Sequence, residues 1–203
     1  VVVSGISYLS YLLKRYVFHE SGTLVSGIIG GLYSSTATIS VLARKSRKAS
    51  EQEATEYVAA MLLAVSMMFL RFMILILIFS REIFLSIYPY LLIMSVVSAI
   101  VGWFVHSRQK LPKDTSVESE EDDSSNPLEF KVALIFAVLF VVFTVLTHYT
   151  LVYAGTSGLN LLSFVSGFSD ITPFILNLLQ NTGSVAVLII TACSMQAIVS
   201  NIL

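Results

Sequence analysis

Charge is scarce in this sequence of 203 residues. Lysine, arginine, aspartate and glutamate together make up 12% of it, about half of their usual share in soluble proteins. Two windows, Ile83–Val105 and Ile171–Leu203, hold no formally charged residue over 23 and 33 positions, and about 20 apolar residues are enough to cross a bilayer. Hydrophobic residues make up 56% of the chain. The composition therefore predicts an all-α polytopic membrane protein, because a soluble core of this size cannot hide several such segments.

Cysteine, histidine and basic charge are also scarce. A single cysteine excludes an internal disulfide, the three histidines share no metal-ligand spacing, and a net charge of −1 does not indicate a nucleic-acid partner. The sequence has no Gly-x-Ser-x-Gly, no phosphate-binding glycine loop and no His-Glu-x-x-His. We therefore expect neither enzyme activity nor a cofactor.

The hydropathy pattern predicts two membrane regions joined by an acidic linker. The linker, 107–127, contains Glu118-Ser119-Glu120-Glu121-Asp122-Asp123 and is predicted to be disordered and solvated. In the first region, 1–106, the predicted helices are about 1–18, 22–43, 53–80 and 83–105. In the second, 128–203, they are about 128–153, 158–180 and 184–203. The helices 22–43 and 158–180 are predicted to be broken, at Gly30-Gly31 and at Ser166-Gly167.

The two broken segments resemble each other. Residues 21–44 align without a gap on 157–180 at an offset of 136, and six of the 24 pairs are identical. The identical pairs are Ser21/Ser157, Gly22/Gly158, Gly31/Gly167, Thr36/Thr172, Ile39/Ile175 and Leu42/Leu178. A shorter similarity, Ala64–Met67 with Ala192–Met195, has an offset of 128. Internal duplication is common in secondary transporters, with the site at the repeat interface, and a complete duplication predicts one more helix after Leu203.

The orientation of the repeats depends on whether the broken segments cross the membrane. If both are re-entrant, the basic residues Lys14, Arg15 and Arg108 and the loop 44–48 fall on one side, and the repeats are inverted. If both span fully, the repeats are parallel and the basic residues are divided between the two sides. The positive-inside rule favours inverted repeats, with the loops 44–52 and 107–127 in the cytoplasm.

One acid stands alone in the second region. Asp170 is the only formally charged residue from Val132 to Leu203, and an acid inside a membrane is costly unless it has a role or a partner. Arg71 lies deep in an apolar run and is the expected counter-charge. The pair is predicted either to be disrupted by substrate or a proton, or to be a permanent structural salt bridge. Arg71 could alternatively reach the lipid headgroups.

Small and hydroxyl residues surround both predicted breaks. A half-helix starting near Ser35 would direct its positive end into a cavity and suit an anion, whereas the hydroxyl oxygens would suit a cation. The glycines let backbones approach closely, either around a ligand or in helix packing. The candidate binding residues are Ser34, Ser35, Thr36, Thr38, Thr172, Asp170 and Arg71, with Gly30, Gly31 and Gly167 for backbone approach.

Several motifs resemble one family. They are the run Gly30-Gly31-Leu32-Tyr33-Ser34-Ser35-Thr36-Ala37-Thr38, the segment Asn126–Lys131, and Ser166-Gly167-Phe168-Ser169-Asp170. Together they resemble the uncharacterised domain found C-terminal to an MgtC/SapB-like membrane domain in prokaryotes. The resemblance implies a multi-pass protein of the cytoplasmic (inner) membrane, with an MgtC-like domain of the same chain or a second copy as partner. It implies no substrate.

These observations predict a secondary transporter of a cation or of a proton-coupled small solute, embedded in the lipid bilayer. The competing interpretation is a membrane subunit or ion sensor that does not transport and instead binds a partner protein.

Overall fold

A computed structural model describes residues 22–108, 130–168, 171–180 and 185–202. Over these ranges the protein consists of helices joined by short turns, which confirms the all-α class. The helices are α1 (Thr23–Ser46), α2 (Glu51–Phe79), α3 (Arg81–Ser107), α4 (Phe130–Ser166), α5 (Ile171–Gln180) and α6 (Val187–Ile202). The predicted helix at 1–18 and most of the predicted linker lie outside the described residues.

Three of the helices are long and apolar enough to cross a membrane. They are α2 from Glu53, the whole of α3, and α4 from Leu134. The bounds of α2 and α3 lie within two residues of the predicted ones. A kink in α4 falls between the predicted segments 128–153 and 158–180. It lies at Gly155, whose φ of 57° and ψ of −147° are accessible almost only to glycine.

The chain divides into two compact units. The first contains α1, α2 up to Met73 and α3 from Tyr90, and the second contains 74–89 with α4, α5 and α6.

In the first unit, α2 and α3 are antiparallel. Ser66 Oγ donates a hydrogen bond to the Ser95 carbonyl at 2.9 Å, and one turn earlier on α2 the Leu62 carbonyl accepts from Ser98 Oγ at 3.3 Å. The contacting residues therefore advance along α3 as they go back along α2, which is the pattern of antiparallel helices. Small side chains at these contacts let the two helices approach closely, as is usual between membrane helices.

Helix α1 is broken at Ser34, which has φ −154° and ψ 99°. The break separates the arms 23–33 and 35–46. Ser34 Oγ accepts a hydrogen bond from the backbone N–H of Ala37 at 3.4 Å, so Ser34 caps the second arm. The half-helix predicted to start near Ser35 is confirmed, but the predicted break at Gly30-Gly31 is wrong. Both glycines are helical and serve packing, as described below.

The two arms of α1 fold back on each other. Gly27 and Gly31 lie against Ala60 and Ala64, so the first arm runs parallel to α2. If α1 continued straight, Ser46 would lie about 22 Å ahead of Gly31, while Glu51 lies about 20 Å behind Ala64. The short connection between α1 and α2 spans at most about 18 Å, far less than the sum of these distances. The second arm must therefore return, and α1 is a helical hairpin, here called the first hairpin.

The second unit contains a hairpin of the same kind. The end of α4 runs parallel to α6, because Ser163 contacts Gln196 and Gly167 contacts Ser200. A straight continuation would place the end of α5 at least about 35 Å from the start of α6, and the seven peptide steps between them span at most about 25 Å. Residues 156–180 thus form the second hairpin, with α5 as its returning arm. Pro173 is the third residue of this arm and lies in its first turn, where its missing N–H leaves no helical hydrogen bond unmade.

The two hairpins correspond at an offset of 136 residues. The returning arms begin at Ser35 and at Ile171, and the helices that follow begin at Glu51 and Val187. The contact register agrees as well: Gly27/Ala60 corresponds to Ser163/Gln196, and Gly31/Ala64 to Gly167/Ser200. The packing therefore extends the 136-residue repeat through the next helix, rather than the offset of 128 suggested by the shorter sequence similarity.

Candidate functional site

The first predicted motif lies around the bend of the first hairpin. Ser34 occupies the bend itself, and Ser35 is the buried first residue of the returning arm. Thr36 is exposed, and its carbonyl accepts a hydrogen bond from Ser40 Oγ at 2.8 Å. The predicted hydroxyl residues are thus gathered at one bend, together with backbone that departs from the helical ladder.

The glycines of this motif allow close packing. A Cβ on Gly31 would lie 2.6 Å from Ala64 Cα and 2.7 Å from its carbonyl oxygen. A Cβ on Gly30 would lie 2.8 Å from Thr38 Cγ2, on the other arm of the same hairpin. Gly31 therefore lets the hairpin meet α2, and Gly30 lets its two arms meet each other.

The second predicted motif lies at the bend of the second hairpin. Gly167 is packed against the Ser200 side chain. Thr172 is the buried second residue of α5, and it takes part in an interaction. All side chains from Ile171 to Leu179 are buried. Asp170 lies outside the described residues.

A series of hydrogen bonds joins the second hairpin to α6. Ser163 Oγ donates to Gln196 Oε1 at 3.1 Å, and the Cys193 thiol donates to Asn160 Oδ1 at 3.3 Å. Nearer the bend, Ser200 Oγ donates to the Phe164 carbonyl, and Asn201 Nδ2 donates to the Gly167 carbonyl, both at 2.8 Å. Asn160 thus bonds to the neighbouring helix α6.

Polar side chains also join α4 to α5. Asn177 Nδ2 donates to Thr144 Oγ1 at 2.7 Å, and Thr144 in turn donates to the Phe140 carbonyl at 2.8 Å. Among the described side chains, the buried hydroxyls of Thr147 and Ser194 have no hydrogen-bond partner. Isolated serines and threonines are common in membrane helices, so the sequence carried no signal for these positions.

Arg71 lies in the part of α2 that belongs to the first unit, is partly buried and takes part in an interaction. Since its predicted partner lies outside the described residues, the Arg71–Asp170 pair stays a prediction. The structure gathers Ser34, Ser35, Thr36 and Thr38 in one hairpin, and Gly167 and Thr172 in the other. A single site formed by all of them also stays a prediction. The described residues contain no group of three His, Cys, Asp or Glu side chains that could hold a metal ion.

Three helices capable of crossing a bilayer and two hairpins of short apolar half-helices define a polytopic α-helical membrane protein. The chain belongs to the family described as a domain of unknown function, DUF4010, whose model matches residues 1–203. The resemblance to an uncharacterised domain family is confirmed to this extent. Searches of curated proteins and of solved structures returned no match.

Proposed function

We propose that this protein is a membrane transporter built from an inverted repeat, with both hairpins re-entrant. The folding back of the hairpins carries this proposal. Each arm has ten to twelve residues, a length of about 15–18 Å, whereas the hydrocarbon core is about 30 Å thick. A hairpin that enters from one side therefore reaches about the middle of the bilayer and returns to the same side.

Counting membrane crossings supports the inversion. Between the two hairpins the described residues contain three helices long and apolar enough to cross a membrane: α2, α3 and α4, the last counted up to Gly155. Three crossings would put the entrances of the two hairpins on opposite sides. The basic residues from Arg44 to Lys48 then lie at the entrance of the first hairpin, and the positive-inside rule puts them in the cytoplasm of a prokaryotic cell.

The two bends would lie at a depth where irregular backbone is tolerated only in contact with protein or with a water-filled cavity. Discontinuous helices form the substrate and ion sites of many transporters in this way. The first bend supplies the hydroxyls of Ser34 and Ser35, and the second supplies Thr172 and Asp170. A lone carboxylate among hydroxyl groups suits a cation or a proton, so we favour a cation or a proton-coupled small solute, with Arg71 as counter-charge.

The topology is tested by labelling single cysteines with a membrane-impermeant thiol reagent in right-side-out and inverted vesicles. The background is Cys193→Ala, since Cys193 is the only native cysteine. Lys48→Cys and Ala186→Cys, at exposed positions beside the two hairpin entrances, are expected to label from opposite sides. Ser107→Cys is the control and should label from the same side as Lys48→Cys. Labelling of Ala186→Cys from that side would exclude the inverted repeat.

Transport is tested by flux into proteoliposomes across a panel of monovalent and divalent cations and pH gradients. We expect Asp170→Asn to abolish flux, while Glu51→Gln, which neutralises an exposed acid at the start of α2, retains it. Flux that survives Asp170→Asn would remove this acid from the site. Absence of flux from folded wild-type protein under every condition would contradict the transport proposal.

The close packing of Gly27 and Gly31 on α2 favours one alternative, a membrane subunit or ion sensor whose glycine motifs serve only helix contact. In that case a cysteine at Ser34 is protected from the thiol reagent, whereas a transport cavity exposes it. A second copy of the chain or an MgtC-like domain would then be the binding partner.

A further inference from the structure

The two hairpins are attached to their neighbouring helices by different kinds of contact. At equivalent positions the first hairpin presents Gly27 to Ala60, where the second presents Ser163 to Gln196. Among the described residues, backbone contact alone joins the first pair, and a side-chain hydrogen bond joins the second. Equivalent positions of the two hairpins therefore make an apolar backbone contact in the first and a side-chain hydrogen bond in the second.

The difference continues along both interfaces. Gly31 meets the backbone of Ala64 without a polar side chain on either residue. Its counterpart Gly167 meets Ser200, and that serine donates to the Phe164 carbonyl. Asn201 adds a further bond, to the Gly167 carbonyl. The second hairpin is therefore hydrogen-bonded to α6 both beside its bend and along its first arm.

The first hairpin is nevertheless rigid within itself. Thr38 packs on Gly30 across the two arms, and Ser34 caps the returning arm. Its internal contacts can thus persist while its contacts with α2 change. Backbone surfaces of glycine and alanine present little relief, so a shift of Gly27 and Gly31 over Ala60 and Ala64 breaks no side-chain hydrogen bond between these four residues.

We propose that the first hairpin is the mobile element of this protein and moves as one body against α2, while the second hairpin stays fixed to α6. The inference rests on and deepens the proposed transport function, in which the first hairpin is the moving gate. The assignment concerns motion alone, and it can be measured whether or not the protein transports.

Hydrogen–deuterium exchange of the wild-type protein in nanodiscs provides the test. Three well-formed interhelical bonds at roughly 0.6 kcal/mol each predict exchange about 20-fold faster for amides in 23–46 than for those in 156–180. This ratio corresponds to about 1.8 kcal/mol of differential opening free energy. Equal exchange in the two hairpins, or faster exchange in the second, would overturn the proposal.

A triple variant supplies the matched comparison. Ser163→Gly, Gln196→Ala and Ser200→Ala place at the second interface the residues found at the equivalent positions of the first. Because two of the three bonds are removed, we expect exchange in 156–180 to accelerate about eightfold, towards that of the first hairpin, with 23–46 unchanged. A triple variant that folds and exchanges at the wild-type rate would refute the role of these hydrogen bonds. If the variant does not fold, Asn201→Ala alone, which removes one bond beside the bend, must still accelerate exchange in 156–180 about threefold, and no change would refute it equally.

The possible outcomes separate this inference from the transport proposal. Faster exchange of the first hairpin in a protein without measurable flux would support the mobile element and contradict the transporter. Flux together with equal exchange in both hairpins would support the transporter and contradict the mobile first hairpin.

Discussion

Replacing Gly31 by alanine should separate the first hairpin from α2. The new Cβ would lie 2.6 Å from Ala64 Cα and 2.7 Å from the Ala64 carbonyl oxygen, whereas ordinary contacts measure 3.4–4 Å. Both obstructing atoms belong to the backbone, so the helices must move apart by about 1 Å. Overpacking of this kind costs about 1–3 kcal/mol, and the higher helix propensity of alanine offsets about 1 kcal/mol of it. We expect a net loss of up to roughly 2 kcal/mol.

Thermal unfolding in detergent, followed by circular dichroism or by intrinsic fluorescence, measures this loss. Gly22→Ala is the control, because a Cβ at that position meets nothing within 4 Å, and its unfolding temperature should stay close to that of the wild type. A second substitution, Ala64→Gly, should not restore the stability of Gly31→Ala, since it leaves the obstructing backbone in place. Full rescue by Ala64→Gly, or a Gly31→Ala protein as stable as Gly22→Ala, would refute the backbone contact.

Three other substitutions have defined expectations for the free energy of unfolding. Gly155→Ala should cost about 1–3 kcal/mol although a Cβ meets no neighbour, because its backbone conformation is strained for any other residue; an asparagine that restored full stability would argue against strain. Ser34→Ala should cost about 1 kcal/mol through loss of the cap on Ala37, whereas Ser34→Asn, a neutral residue that can still cap, should keep most of the wild-type stability; equal losses in both variants would contradict the capping role. Ser50→Ala should cost about 0.5–2 kcal/mol, because the Ser50 backbone N–H and hydroxyl both donate to Glu53 Oε2 at 2.9 Å at the start of α2, and an unchanged melting temperature would show that this cap is not needed.

Much of the helical organisation could be predicted because a membrane helix requires a long apolar segment, which is visible in the local composition. Long apolar runs mark α2 and α3 to within two residues, and Pro173 marks the first turn of α5. The break in α1 was misplaced because glycine was interpreted as a bend, whereas Gly30 and Gly31 provide clearance for Thr38 and Ala64. Whether a glycine bends a helix or admits a neighbour depends on what packs against it.

The candidate site could be predicted only as a set of residues, not as an arrangement. The duplication brought Ser34 and Asp170 into correspondence, and the structure confirms a bend at Ser34. The hydrogen bonds of Ser163, Gln196 and Ser200 with the neighbouring helices could not be foreseen. Each of them joins residues more than thirty positions apart, and nothing in the local sequence of either partner identifies the other.

The sequence by itself determined the class of protein and the offset of the repeat, because both follow from the order of apolar and polar residues along the chain. It left open whether the broken segments cross the fold or return. Tertiary structure decided this, since the parallel contacts of Gly27 and Gly31 with α2 leave a connecting loop too short for a straight α1. The direction of a half-helix after a break depends on the backbone angles of one residue and on the helix against which the half-helix packs. Neither can be predicted from the hydropathy of the sequence.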